Sequence, residues 1–150
     1  REITMHELRS LRPEEAEAWG RLYAGAFAAP PWNEECDPVQ TAAYIARFME
    51  RPPLFAYGFF VDDQPAALAM GEYVPCQEKD LMRIEDFCVG RAHQGKGLGG
   101  AFLAALKQEG VRHGCDCVML ATMRDYPAHR FYEKNGFAPL KDSVLLYQNL

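Results

Sequence analysis

The sequence predicts an α/β fold built on a mixed sheet with helices on its faces, and three observations carry that prediction. Strand candidates in the middle of the chain are joined by short polar turns, as in hairpins. Further on, strand and helix patterns alternate, as in crossover connections. Between the two regimes lies Gly90–Gly100, GRAHQGKGLGG, in which five of eleven residues are glycine, followed directly by an apolar helix pattern.

The elements follow in order. Ile3 to Leu8 is a short strand candidate. Pro13 opens a helix with Glu14, Glu15 and Glu17 in its first turns, where negative charge is favoured. Its expected apolar face runs through Ala18, Trp19, Leu22, Tyr23 and Ala26. The segment Ala28 to Trp32, AAPPW, breaks it. Asp37 is a good N-cap with Pro38 at the first helical position. That second helix runs to about Glu50, with Tyr44, Ile45 and Phe48 inward, and Pro52 and Pro53 stop it.

Leu54 to Val61 reads as an aromatic-rich strand, Asp62-Asp63-Gln64 as a hairpin turn, and Ala66 to Val74 as the returning strand. Cys76 to Asp80 is a polar turn and Leu81 to Val89 a third strand. A helix from about Leu98 to Arg112 carries the stripe Leu98, Ala101, Phe102, Ala105 and Leu106 at a 3.6-residue period. Gly114 ends it. Cys117 to Ala121 is a buried strand, Pro127 to Asn135 a helix, and Phe137 to Leu140 and Val144 to Tyr147 are expected as closing strands. The order is β-α-α-β-β-β-α-β-α-β-β. With no repeat, low-complexity stretch or linker, residues 1–150 are read as a single domain.

Composition narrows the function. The net charge of −5, with scattered basic residues, argues against nucleic acid or an anionic membrane as partner. No apolar run approaches the ~20 residues of a membrane helix. The N-terminal REITMHELRSLRPEE lacks the apolar core of a signal peptide. The five cysteines (Cys36, Cys76, Cys88, Cys115, Cys117) have no framework spacing and are expected as reduced thiols in a cytoplasmic protein. Cys115 and Cys117 are expected to pack rather than bind metal, since His113 alone is a poor complement; no metal is expected.

The glycine segment suits a phosphate, because glycines let backbone N–H groups approach an anion and the following helix N-terminus adds partial positive charge. Three phosphate loops fit its letters. Gly95, Gly97 and Gly100 match G-x-G-x-x-G, the dinucleotide fingerprint. However, Arg91 to Gln94 intervene between the strand end at Val89 and the first glycine, and Asp116 begins the next strand instead of ending it. Gly90, Gly95 and Lys96 match most of the nucleotide-triphosphate loop, but Gly97 has no hydroxyl for Mg²⁺. Gln94, Gly97 and Gly99 match Q-x-x-G-x-G, the pyrophosphate loop of acetyl-CoA-dependent acetyltransferases.

The wider sequence resembles that third group. IEDFCVGRAHQGKGLGGAFLAAL is similar to the core motif of the GNAT superfamily of N-acetyltransferases, and HRFYEKNGF, His129 to Phe137, to its second motif at the expected distance. APPWNE, Ala29 to Glu34, resembles the helix-to-helix loop of some bacterial members. The resemblance implies a GNAT-like acyl-CoA N-acyltransferase fold: a mostly antiparallel central sheet with a splayed strand pair and helices on both faces. It implies acetyl-CoA as co-substrate, with no metal, and a small-molecule or peptide amine as acceptor. It leaves a homodimer open. The different-class alternative is a non-catalytic acyl-CoA-binding sensor or subunit.

By the same resemblance, Cys88 and Val89 on the strand Arg83 to Val89 lie along the pantetheine and thioester. Gln94, Gly95, Lys96, Gly97, Leu98, Gly99 and Gly100 cradle the pyrophosphate, with charge from Lys96; Arg91 is read as a surface cation. Tyr132 is the expected acid for the leaving thiolate, since a phenol with a reference pKa near ~10 is protonated at neutral pH. Glu85 is the expected base, with Glu72 or solvent water as alternatives. Alternation puts Glu85 and Asp86 on opposite faces, unless a bulge intervenes. His129 is expected as an exposed helix residue. Tyr23, Phe27 and Trp32, with Glu34 or Glu35, are candidates for the acceptor pocket; Trp32 reads equally as a loop anchor. One departure stands out: many members carry Asn where this chain has Asp125, which is expected to cap the following helix instead.

Overall fold

The protein is described here by a computed structural model covering residues 4–50 and 52–150. Its elements are β1 (His6–Ser10), α1 (Ala16–Ala28), α2 (Pro38–Met49), β2 (Leu54–Val61), β3 (Gln64–Val74), β4 (Asp80–Val89), α3 (Leu98–Arg112), β5 (Cys115–Leu120) and α4 (Pro127–Lys134). Short 3₁₀ turns precede α1 and open the glycine segment. The sheet runs β1-β2-β3-β4-β5. Its first three pairings are antiparallel, and β4 with β5 is parallel. The α/β fold with a mixed, mostly antiparallel sheet is therefore as expected.

Apolar side chains on both faces of the sheet explain why it is covered twice. On one face Phe102, Leu103 and Leu106 of α3 pack with Phe59, Ala67 and Ile84. On the other, Trp19 of α1 and Ile45 of α2 pack with Ala56, Leu68 and Met70. Trp19, Ile45 and Phe102 are 2%, 0% and 0% exposed, and burying one large apolar side chain stabilises by about 1.5–3 kcal/mol. Asp37 caps α2 as expected, its side chain accepting from Gln40 N at 2.8 Å.

One irregularity sets the site. Asp86 pairs with Met70, and Ile84 with Gly71, so Glu85 has no rung in the β3–β4 ladder. This bulge requires Gly71, where a β-carbon would stand 2.0 Å from the Arg83 carbonyl oxygen. It also breaks the alternation. Met82 and Ile84 face α3, and so do Phe87 and Val89, whereas Asp86 and Cys88 face α1 and α2.

Several expectations need correction. Ile3 lies outside the described residues, and β1 begins at His6 and runs to Ser10. Ala18 is exposed; Ala16, Trp19, Gly20 and Ala26 are the buried residues of α1. The hairpin turn is only Asp62-Asp63, both at positive φ, so Gln64 already pairs with Val61. β5 starts two residues earlier than expected, at Cys115. The closing strands Phe137 to Leu140 and Val144 to Tyr147 do not form. Their residues have strand propensity, but propensity without a partner leaves the backbone unpaired. Phe137 packs on Tyr132 at 5.5 Å between ring centroids, while Leu140 and Val144 to Tyr147 are exposed.

Candidate active site

The β4–β5 ladder has its last rung at Ile84 and Leu120. Beyond it, among the described residues, Glu85 to Val89 have no partner on that side. The strands thus part at the bulge, and a cavity of about 460 Å³ opens there. The unpaired end of β4 forms its floor through Phe87 and Val89. The glycine segment and the start of α4 form its walls.

Local geometry explains the glycines. Gly95 and Gly97 have φ of +75° and +74°, a left-handed conformation that side-chain-bearing residues adopt only at a cost. A β-carbon at either would meet nothing within 4 Å, so both turn toward open space. Gly97 is the N-cap of α3 and supplies no side-chain cap, which leaves the first-turn N–H groups free for an anion. Gly99 and Gly100 serve packing: a β-carbon would stand 3.1 Å from the Phe131 ring and 3.3 Å from Asn135 Oδ1. The Gln94 side chain donates to the Val89 carbonyl at 2.9 Å, tying the loop back to β4. These residues fit a pyrophosphate: a left-handed backbone cradle at an uncapped helix N-terminus, open to the cavity.

The remaining cofactor candidates separate. Gln94, Gly95, Gly97, Leu98, Gly99, Gly100 and Val89 line this cavity. Cys88 lines its neighbour instead. Lys96 is exposed with its Nζ donating to the Ala92 carbonyl at 3.3 Å, and Arg91 is exposed.

The neighbouring cavity is about 160 Å³ and shares Phe87, Val89, Gln94, Ala128 and Phe131 with the first, so the two form one cleft. Phe27, Trp32 and Tyr132 line its far side. Tyr132 lies on α4 among Phe87, Phe131 and Phe137, and among the described residues its hydroxyl has no hydrogen-bond partner. Burial, then the neighbouring Cys88 and Asp86, push its pKa well above the ordinary phenol value. The phenol therefore keeps its proton. Burial likewise pushes up the Cys88 thiol, with Asp86 adding to the effect, so Cys88 is a poor nucleophile.

The bulge breaks the alternation, and the Asp86 carboxylate faces α1 and α2. Asp86 accepts from the Tyr23 hydroxyl at 3.0 Å and from the Tyr44 hydroxyl. The negative charge of Glu85 also reaches the Tyr44 phenol and helps to raise its pKa, after burial and Asp86. Glu85 is exposed and, among the described residues, makes no side-chain hydrogen bond. Glu72 is paired with Arg83. Tyr23 is engaged with Asp86 and lines neither cavity. Trp32 both lines the cleft and anchors its loop, with ring centroids 5.8 Å from Phe27 and 5.4 Å from Tyr126. Glu34 and Glu35 are exposed and line neither cavity.

Two expectations about α4 change. Asp125 is not its cap: Tyr126 holds that position, and Asp125, at φ +65°, donates its backbone N–H to His129 Nδ1 at 3.1 Å. His129 is consequently half-buried, with Nε2 3.1 Å from Glu133. The sequence reading weighed Asp86 only as the neighbour of Glu85 across a possible bulge, and missed Phe87 and Tyr126. The one signal for Asp86 was an acidic residue inside an otherwise apolar strand end. Among the described residues, no three His, Cys, Asp or Glu are grouped to hold a metal ion, and no helix is long and apolar enough to cross a membrane.

Comparison with known proteins agrees with this geometry. The family model "Acetyltransferase (GNAT) family" matches residues 8–137. No curated protein matches the chain by sequence. Among solved structures, a possible acetyltransferase from Clostridium difficile 630 aligns with a TM-score of 0.82 at 14% identity, over 97% of this chain and 99% of that one. A provisionally assigned acetyltransferase from Agrobacterium tumefaciens aligns at 0.74 with 26% identity, over 95% and 99%. An aminoglycoside acetyltransferase from an uncultured soil metagenomic sample, in complex with trehalose, aligns at 0.73 with 16% identity, over 97% and 96%.

Proposed function

The chain belongs to the GNAT acetyltransferase family, and from that premise we propose that it moves the acetyl group of acetyl-CoA to the amine of a small molecule or peptide by direct attack on the thioester. All of residues 1–150 serve as one catalytic unit in this reading. The carrying observation is a single cleft where the glycine cradle, the unpaired end of β4 and the free Tyr132 hydroxyl meet.

Acetyl-CoA supplies an activated acyl group. The chain's own residues bind and orient it. The N–H groups of the segment from Gln94 to Gly100 take the pyrophosphate, with Lys96 adding long-range charge. The backbone of Cys88 and Val89, paired with β3 but without a partner on the β5 side, takes the pantetheine amides and polarises the thioester oxygen as charge develops there. Glu85 removes a proton from the attacking amine, directly or through water. As the new C–N bond forms and the C–S bond breaks, Tyr132 gives its proton to the departing sulfur. Solvent then returns a proton to Tyr132 and accepts the one on Glu85.

A direct attack is favoured over an acyl-enzyme because Cys88 stays a thiol. For the acceptor, the aromatic wall of Phe27, Trp32 and Tyr126 with the Glu85–Asp86 carboxylates suits a compact cationic amine with an apolar body. Tyr23 contributes by holding Asp86.

The test is to incubate the purified chain with acetyl-CoA and a panel of alkyl, arylalkyl, aminosugar and peptide amines. Thiol release should match acetylated product one to one for at least one class. Saturable CoA binding with no turnover of any amine would favour the acyl-CoA-binding sensor reading instead.

A further inference from the structure

We propose that Trp32 and Tyr126 form a fixed aromatic bridge over the acceptor end of the cleft, which admits a primary amine carried on an unbranched alkyl arm and excludes one branched at the carbon bearing nitrogen. The bridge has this role only in the acetyl transfer proposed above. Its two rings come from opposite walls. Trp32 stands on the loop between α1 and α2 and lines the smaller cavity. Tyr126 stands on the loop between β5 and α4, directly before Pro127 and Ala128, which line the cleft from the other side. The ring centroids are 5.4 Å apart with planes tilted by 46°, so the walls touch there. Both residues are half-buried.

The backbone on each side holds its ring in place. On one side Trp32 N and Asn33 N both donate to the Ala29 carbonyl at 3.1 Å, and Glu34 N donates to the Phe27 carbonyl at 2.8 Å. On the other, Asp125 takes a φ of +65° and is gripped by two side chains of α4. Its N–H donates to His129 Nδ1 at 3.1 Å, and its carbonyl accepts from the Arg130 guanidinium at 2.8 Å. Tyr126 N adds a bond to the Met123 carbonyl at 3.3 Å. A left-handed backbone outside glycine persists only where its surroundings hold it. Here those contacts set Tyr126 against Trp32.

The space behind the bridge is small. The cavity that Trp32 lines is about 160 Å³, below the ~300–1,000 Å³ of a pocket that encloses a whole small ligand. Cys88 and Tyr132 line it too, so the reacting end of the thioester shares that volume. Only the reacting end of an acceptor fits beside it, and the rest of the acceptor stays outside the bridge. A methylene chain is the narrowest link between the two. A substituent on the carbon bearing nitrogen would meet the rings of Phe27 and Trp32, which pack on each other at 5.8 Å.

The isomers n-butylamine and sec-butylamine differ only in branching at the carbon bearing nitrogen. One methyl group refused by an apolar site is worth about 10–200-fold in kcat/KM, and the wild type should prefer n-butylamine by that factor. Tyr126→Ala should cut the preference at least ~10-fold, whereas Tyr126→Phe, which keeps the ring, should retain it. A second readout needs no acceptor. The chain has two tryptophans, and Trp19 is 2% exposed, so acrylamide quenching of the emission reports Trp32. Tyr126→Ala should raise that quenching. Four results would each overturn the proposal: equal kcat/KM for the two isomers in the wild type, turnover of other amines but not of n-butylamine, an unchanged preference in Tyr126→Ala, or unchanged quenching in that variant. CoA binding without turnover of any amine, with quenching raised in Tyr126→Ala, would show the bridge but overturn the transfer reaction, and the role of the bridge with it.

Discussion

A β-carbon added to Gly99 would stand 3.1 Å from the ring of Phe131, so the first turn of α3 and the middle of α4 touch across a glycine. That contact joins the glycine-rich loop to the second motif. It sets the width of the cleft, because both Gly99 and Phe131 line it.

Gly99→Val should therefore push α4 outward. Overpacking of this kind costs about 1–3 kcal/mol. We expect a lowered Tm and a raised KM for acetyl-CoA, measured by thermal melting and initial rates. A variant with wild-type Tm and KM would mean that the two helices are not held at this spacing.

Tyr132→Phe keeps the ring contacts with Phe87 and Phe137 and removes only the hydroxyl. Loss of a general acid typically slows the chemical step by about 10²–10⁴-fold. Single-turnover rates isolate that step, and CoA affinity should be unchanged. An unaltered single-turnover rate across pH would remove Tyr132 as the proton donor.

Buried tyrosines predict the alkaline limit of stability. Burial is the first cause that raises the pKa values of Tyr23, Tyr44, Tyr57, Tyr73 and Tyr132. Above pH about 10 the unfolded chain loses these protons while the folded chain keeps them. The unfolded state then binds fewer protons, so stability falls as pH rises from there. Below that pH the same groups are neutral in both states and have no effect. Urea midpoints measured from pH 8 to 11 should be flat at first and then decline. A midpoint that held steady to pH 11 would contradict the burial of these phenols.

Much of this was legible in the letters. Gly95 and Gly97 announced a loop whose backbone an anion can approach, and both take a left-handed conformation that few other residues tolerate. Asp37 with Pro38 announced α2, and the stripe of α3 gave its buried face. The bulge was not legible, because a period-two pattern carries no sign of one extra residue. It was Gly71 on the neighbouring strand that made room for it. Its consequence, Asp86 turned toward Tyr23 and Tyr44, was therefore hidden as well. Val144 to Tyr147 carry strand propensity without a strand, since propensity does not say where the partner comes from. Asp125 is a residue type that caps helices, but His129 accepts its N–H, and Tyr126 holds the cap position before Pro127.

Everything proposed for the cleft depends on the segment from Gln94 to Gly100 binding the pyrophosphate of acetyl-CoA through its backbone. Isothermal titration of CoA into wild-type protein and Gly97→Val tests this most directly, with circular dichroism confirming that the variant is folded. Valine at a φ of +74° costs about 1–2 kcal/mol and forces the loop out of its left-handed turn. Saturable binding is expected for wild type, and none measurable for the folded variant. Binding of equal affinity to a folded Gly97→Val would contradict the backbone cradle.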